Sequence, residues 1–337
     1  MWIYFLTPER NLATMIKRAF CLFTLFFLIA CNETAIESDI KPIPVPLDAP
    51  ISSGKLGGLF TDGGGHTPVI LIIPGSGPTD KDGNSGRRFQ SNSYKFLAYQ
   101  LAQNGISTVR VDKRGMFSSE TAGDGNAVSI EIYAKDYRNW VKTILAKTGQ
   151  PCVYLMGHSE GGLMAIATAR GENNICGLIL LATPGQKLGD VLRNQLRANP
   201  ANTPILQKAE ESIGKLEAGE TVDTTEMHPA LQGLFRPQVQ SFLMSVLPAD
   251  PAMLLSELSL PVLIIQGDND LQVSTEDAKR LLNNSQNGEI LILSDVNHVL
   301  KLASKDRAGN ISSYNSPDRP IDDRIVPAIQ GFIHQQN

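Results

Sequence analysis

Short apolar runs recur along the chain, and most are followed by a longer stretch whose apolar positions repeat every three to four residues. The runs at 56–61, 68–73, 107–112, 152–157, 177–182, 261–266 and 289–293 read as strands. Several show no polar alternation, which predicts burial on both faces, as in a parallel sheet. The stretches at 91–104, 129–148, 160–170, 274–285 and 322–335 have helical spacing. Strand and helix in alternation predict an α/β fold with a doubly wound, mostly parallel sheet. Residues 186–260 break the rhythm and carry no strand signal. There Leu188, Val191, Leu192 and Leu196 make one helical stripe. Leu206, Ala209, Ile213 and Leu216 make a second, and Phe235, Val239, Phe242, Leu243 and Val246 a third. By themselves such stripes mean core packing.

The N-terminus has another pattern. Lys17 and Arg18 precede an apolar run from Ala19 to Ile29, shorter than the roughly 20 residues that span a bilayer. The run ends Leu28-Ile29-Ala30-Cys31, which resembles a bacterial lipobox. That implies a signal peptide over residues 1–30, lipidation of Cys31, and a membrane partner reached through this anchor. The alternatives are an ordinary secretory signal and an uncleaved anchor. Asn32 is not the aspartate that retains such proteins at the inner membrane, so the expected address is the bacterial envelope, outer membrane, periplasmic side. Residues 31–55, with Pro42, Pro44, Pro46 and Pro50, read as a proline-rich tether.

Composition narrows the class. Of 337 residues, 42% are hydrophobic and 19% charged, an ordinary globular balance with length enough for a buried core. The net charge of -4 and the lack of a basic block beyond the N-terminus argue against a nucleic-acid partner.

The chemistry concentrates at Gly157-His158-Ser159-Glu160-Gly161, between a predicted strand and a predicted helix. G-x-S-x-G in that setting is a nucleophile elbow: a strained turn that projects the serine hydroxyl alone at the sheet edge. Serine needs a base, an acid to orient the base, and donors for an oxyanion. His298 follows the last predicted strand after a short loop, at the sheet end where α/β folds carry their sites. His158 lies inside the elbow and is set aside, because its ring points away from the serine. The acid follows the strand Pro261–Gln266, where Asp268 and Asp270 compete. The Gly-x-x-Asp spacing favours Asp270, leaving Asp268 to cap the turn. Oxyanion donors are expected from the backbone N–H groups of Glu160 and of Ser76, in the loop Gly75-Ser76-Gly77-Pro78. That loop lacks the Gly-Lys-Ser/Thr ending of a phosphate loop and the third glycine of a dinucleotide fingerprint.

These pieces together resemble the α/β-hydrolase superfamily, and more closely the serine aminopeptidase-like hydrolases that include bacterial carboxylesterases. The resemblance rests on GSGPTDKDGN (75–84), DKRG (112–115), GHSEGG (157–162), GDND (267–270) and NHVLK (297–301). It implies an α/β-hydrolase core over 56–185 and 261–337, with 186–260 as a helical cap. An apolar cap over the serine suggests an apolar acyl or alkyl group in the substrate. The expected activity is cleavage of small-molecule carboxylic esters, with short acyl chains, by Ser159, Asp270 and His298. No metal or cofactor is expected. A peptidase or amidase with the same triad, and a catalytically silent binding lipoprotein, are the alternatives. Asp112 and Arg114 read as structural. One departure stands out: where the family pattern has a glycine two residues after DKRG, this chain has Phe117. Cys152 and Cys176 start neighbouring strands, so a disulfide is open to them, but two buried free thiols are the plainer expectation.

Overall fold

Val69–Ile73 is apolar at all five positions and buried at all five, because both faces of this strand are covered. Leu71 and Ile73 belong to one apolar cluster and Ile70 and Ile72 to another, as the two-residue period of a strand requires. The computed structural model describes residues 42–87 and 89–336. In chain order its strands are β1 (Val45–Ile51), β2 (Gly54–Thr61), β3 (Val69–Ile73), β4 (Asn84–Ser85), β5 (Phe89–Gln90), β6 (Ser107–Val111), β7 (Val153–His158), β8 (Ile175–Leu181), β9 (Pro261–Gly267) and β10 (Asn287–Leu293). Eight of them form one sheet in the order β1-β2-β6-β3-β7-β8-β9-β10, and β4 and β5 make a two-residue ribbon. Pairing is parallel from β6 across to β10 and antiparallel at the β1–β2–β6 edge.

On one face lie α1 (Ser93–Gln103) and, from the chain end, Ile325–Gln335; Leu97, Leu101, Ile329 and Phe332 fill that layer. The other face is covered by α2 (Ile130–Thr148) and α3 (Glu160–Ala169). Ser129 caps the start of α2 by accepting from the Ile132 N–H, and Gly149 ends it in a left-handed conformation.

The strand-free stretch folds as α4 (Leu188–Arg197), α5 (Leu206–Glu217), α6 (Pro229–Leu234) and α7 (Pro237–Val246). Its three stripes pack inward, and Leu192, Ile213 and Leu243 join the same apolar cluster as the α2–α3 face. These helices, expected as a cap, are therefore continuous with the core beneath them. α8 (Pro251–Leu255) packs on α3 and on α9 (Thr275–Asn284), so the last part of the 186–260 stretch returns to the core layer. α10 (Arg307–Ser312) has no counterpart in the sequence pattern, and the last helix is α11 (Ile325–Gln335).

Two expectations need correction. Val45–Ile51, read as tether, is an edge strand paired along its whole length with β2. Its prolines at 46 and 50 are compatible with an edge, where a missing N–H breaks no inner ladder. The signal segment, Cys31 and the start of the tether lie outside the described residues. Cys152 and Cys176 form a disulfide with a Cα–Cα separation of 5.3 Å, not two free thiols. A register shift pairs Val153 with Ile175 but Tyr154 with Gly177. Cys176 is thus left out of the ladder beside the start of β7, within bridging distance.

Candidate active site

Ser159 joins β7 to α3 with φ 55° and ψ -125°, a backbone that a side-chain-bearing residue adopts at a cost of about 1–3 kcal/mol. The neighbouring glycines make it possible. A Cβ on Gly157 would strike the Gly161 carbonyl, and one on Gly161 would strike the Ile73 carbonyl. Helix and strands pass too closely for any other residue, and this packing holds the serine at the sheet edge.

His298 sits in the loop after β10. Asn297 shapes that loop: its Oδ1 accepts from the N–H groups of Val299 and Lys301, and its Nδ2 donates to Ser313 Oγ at 2.6 Å. His298 Nδ1 lies 2.8 Å from Asp270 Oδ2. A carboxylate only accepts, so Nδ1 carries the proton and Nε2 is left as the basic nitrogen. Asp270 also accepts from the Gln272 and Val273 N–H groups and from Gln266 Nε2. Burial pushes the Asp270 carboxyl up, but His298 and these N–H groups outweigh it and hold the carboxyl below its usual range. The competing Asp268 binds elsewhere, accepting from the Asp295 N–H at 2.6 Å across the neighbouring loop rather than capping its own turn.

Ser159, His298 and Ser76 line one cavity of about 50 Å³. Gly75 abuts the elbow, with space for a Cβ limited to 3.3 Å from the Ser159 Cβ. The Glu160 N–H opens α3, where the backbone donors and the macrodipole favour negative charge. Ser76 and Glu160 also line a cavity of about 260 Å³ that reaches the cap at Leu234 and Phe242. A third, of about 20 Å³, lies between Ser159 and the apolar cap residues Leu188, Val191, Leu192 and Val246.

His158, set aside from the sequence, holds this site together. Its Nε2 is 2.8 Å from the His298 carbonyl, which can only accept, so Nε2 is protonated. Burial, then the neighbouring His298, push its pKa down to about 3, so the ring is neutral and Nδ1 is a bare acceptor. The Tyr94 hydroxyl donates to Nδ1 at 2.8 Å and accepts from the Gly75 N–H at 3.1 Å. One buried relay thus ties the loop at Gly75, the elbow and the His298 backbone. Nothing in the sequence marks Tyr94 for this task. Lys113, inside the DKRG motif, is a second omission: it donates to the carbonyls of Gly75, at 2.8 Å, and Gly77. Asp112 and Arg114 are structural, as their motif suggests. Asp112 accepts from the Lys81 N–H and Nζ and the Ser118 N–H, and Arg114 pairs with Asp136. Phe117 takes φ 48° and is 47% exposed, so it occupies a glycine-type conformation at the surface rather than filling a described cavity. Among the described residues no cluster of three His, Cys, Asp or Glu side chains is arranged to hold a metal.

Residues 84–300 match the family described as serine aminopeptidase, S33. The chain belongs to this family. Esterase EstD of Thermotoga maritima is 27% identical over 241 residues, covering 71% of this chain and 56% of EstD. The S33 chain thus spans little more than half of that relative's length. Among solved structures, Est1E from Butyrivibrio proteoclasticus with ferulic acid bound superposes with a TM-score of 0.56 at 16% identity, over 86% of this chain and 98% of Est1E. A malate-bound thermophilic esterase from Thermogutta terrifontis gives 0.52 at 20% identity, over 87% and 99%. Proline iminopeptidase of Mycobacterium smegmatis gives 0.53 at 13% identity, over 87% and 98%. The S33 member therefore has the α/β-hydrolase fold, the architecture expected from its sequence.

Proposed function

We propose that this S33-family protein is a serine hydrolase that cleaves carboxylic esters of short acyl chains. The observation that carries the reading is the 2.8 Å contact of His298 Nδ1 with the buried Asp270, in the wall of the cavity that Ser159 enters from its strained turn. In this reading His298 Nε2 takes the Ser159 proton as Oγ attacks the ester carbonyl. Asp270 keeps the tautomer and balances the imidazolium. The N–H groups of Ser76 and Glu160 hold the oxyanion. The imidazolium then protonates the departing alkoxide, and water deacylates Ser159 through the same histidine. The small cavity between Ser159 and α4, where Leu188, Val191 and Leu192 face Gln195 and Gln272, offers an apolar wall to a short acyl or alkyl group. The 260 Å³ cavity has room for the larger part of the substrate. EstD, named an esterase, supports ester over amide.

Fluorophosphonate should label Ser159, and Ser159→Ala should abolish labelling and cut ester turnover by about 10³-fold or more. A panel of aryl esters from acetate to octanoate, set against aminoacyl amides, tests the bond and the chain length. Turnover of amides alone, or activity retained in the purified Ser159→Ala protein, would refute the proposal.

A further inference from the structure

The Ser76 N–H belongs to the same peptide unit as the Gly75 carbonyl. A trans peptide is planar, so that N–H and that C=O point in opposite directions. Whatever holds the carbonyl also aims the donor. Lys113 Nζ holds it at 2.8 Å, and the same ammonium donates to the Gly77 carbonyl. One buried cation therefore grips the carbonyls on both sides of Ser76, in the wall of the 260 Å³ cavity that Ser76 and Glu160 also line. We infer that Lys113 is a positioning residue of the oxyanion hole: it turns the Ser76 N–H toward the reacting carbonyl and strengthens that N–H as a donor. The inference rests on the ester-hydrolase reading above.

Two physical effects support it. First, the loop carries glycine at 75 and 77, so its peptide planes rotate easily unless something pins them. Second, a hydrogen bond accepted by an amide carbonyl polarises the whole amide, and a charged donor does so more strongly than a neutral one. The cation's setting fits such a task. Lys113 is 4% exposed, and the charge facing it comes from Glu160, the residue whose own N–H is the second oxyanion donor. Glu160 Oε2 is buried and has no hydrogen-bond partner among the described residues. Tyr133 from α2 and Arg236 from the cap line the same cavity as Lys113 and Glu160.

Burial brings the Lys113 pKa down to about 8, with Glu160 opposing the shift. Above that pH the neutral amine still has two N–H groups for its two carbonyls, so the grip weakens without being lost. The kcat of the wild-type enzyme should therefore step down near pH 8 to a lower plateau rather than to zero.

The test measures kcat and KM on a short-chain aryl ester from pH 6 to 10 for the wild type and Lys113→Met, with thermal melts to show that the variant is folded. The expected result is a kcat about 10²-fold lower in Lys113→Met with KM within about threefold, because the lost interaction acts in the transition state. The step near pH 8 should be present in the wild type and absent from the variant. A folded Lys113→Met with kcat within about threefold of wild type, or one that keeps the step, overturns the inference. If Lys113→Met does not fold, Lys113→Arg decides, since it stays charged at every pH while Lys301, which burial also lowers to about 8, is unchanged: loss of the step supports the inference, and a step retained in Lys113→Arg overturns it. A wild type inactive on every ester refutes the function itself, an outcome distinct from both.

Discussion

The relay through His158 predicts an acid-sensitive fold. In the unfolded chain its imidazole takes a proton near pH 6.5; in the folded protein burial and His298 delay this to about pH 3. Between those values the unfolded state binds more protons, so stability falls as pH falls. From pH 7 to pH 5 this one residue removes about 2 kcal/mol, at about 1.4 kcal/mol per pH unit once below 6.5. His158→Gln separates this from all other titrations, because its amide nitrogen can still donate to the His298 carbonyl but cannot be charged. At pH 7 the variant should be less stable than wild type by about 1–3 kcal/mol, since the Tyr94 hydroxyl loses its acceptor. Urea unfolding of both proteins at pH 7 and pH 5 gives the stability gap at each pH. The gap should shrink by about 2 kcal/mol on acidification, because only the wild type carries the histidine. An unchanged gap would mean that His158 is not held neutral in the fold, and the donor directions assigned to the relay would be wrong.

Asp270→Asn should lower kcat by about 10³–10⁴-fold with little change in KM, whereas Asp268→Asn, whose carboxylate only receives the Asp295 N–H, should lose less than about tenfold; steady-state kinetics on one ester decides between the two aspartates. The disulfide closes a loop of sequence separation 24, so Cys152→Ala with Cys176→Ala should cost about 3 kcal/mol. Calorimetry should show a Tm lower by about 5 °C, and an unchanged Tm would show that the bridge does not form in solution. Cys31→Ser should move the protein from the membrane fraction to the soluble fraction; retention in the membrane pellet would point to an uncleaved signal anchor.

Residues 153–161 determine their own structure: an apolar run buried on both faces, then glycines where helix and strand touch, leave Ser159 only one way to point. That Asp270 rather than Asp268 contacts His298 was legible for a similar reason, since four residues after a strand end bring a side chain back over the sheet edge. The cap helices were legible from their stripes, because burial against a neighbour imposes helical periodicity whichever neighbour it is. What joins distant segments was not. Tyr94, His158 and Lys113 are linked through Gly75 only because α1 begins, and β6 and β7 end, at the same edge of the sheet, and no local pattern records that edge. β1 escaped notice because a proline-bearing edge strand has the composition of a linker and becomes a strand only when β2 supplies its partner. The Cys152–Cys176 bridge depended on a one-residue register shift between β7 and β8, and strand register is a property of the assembled pair, which neither segment contains alone.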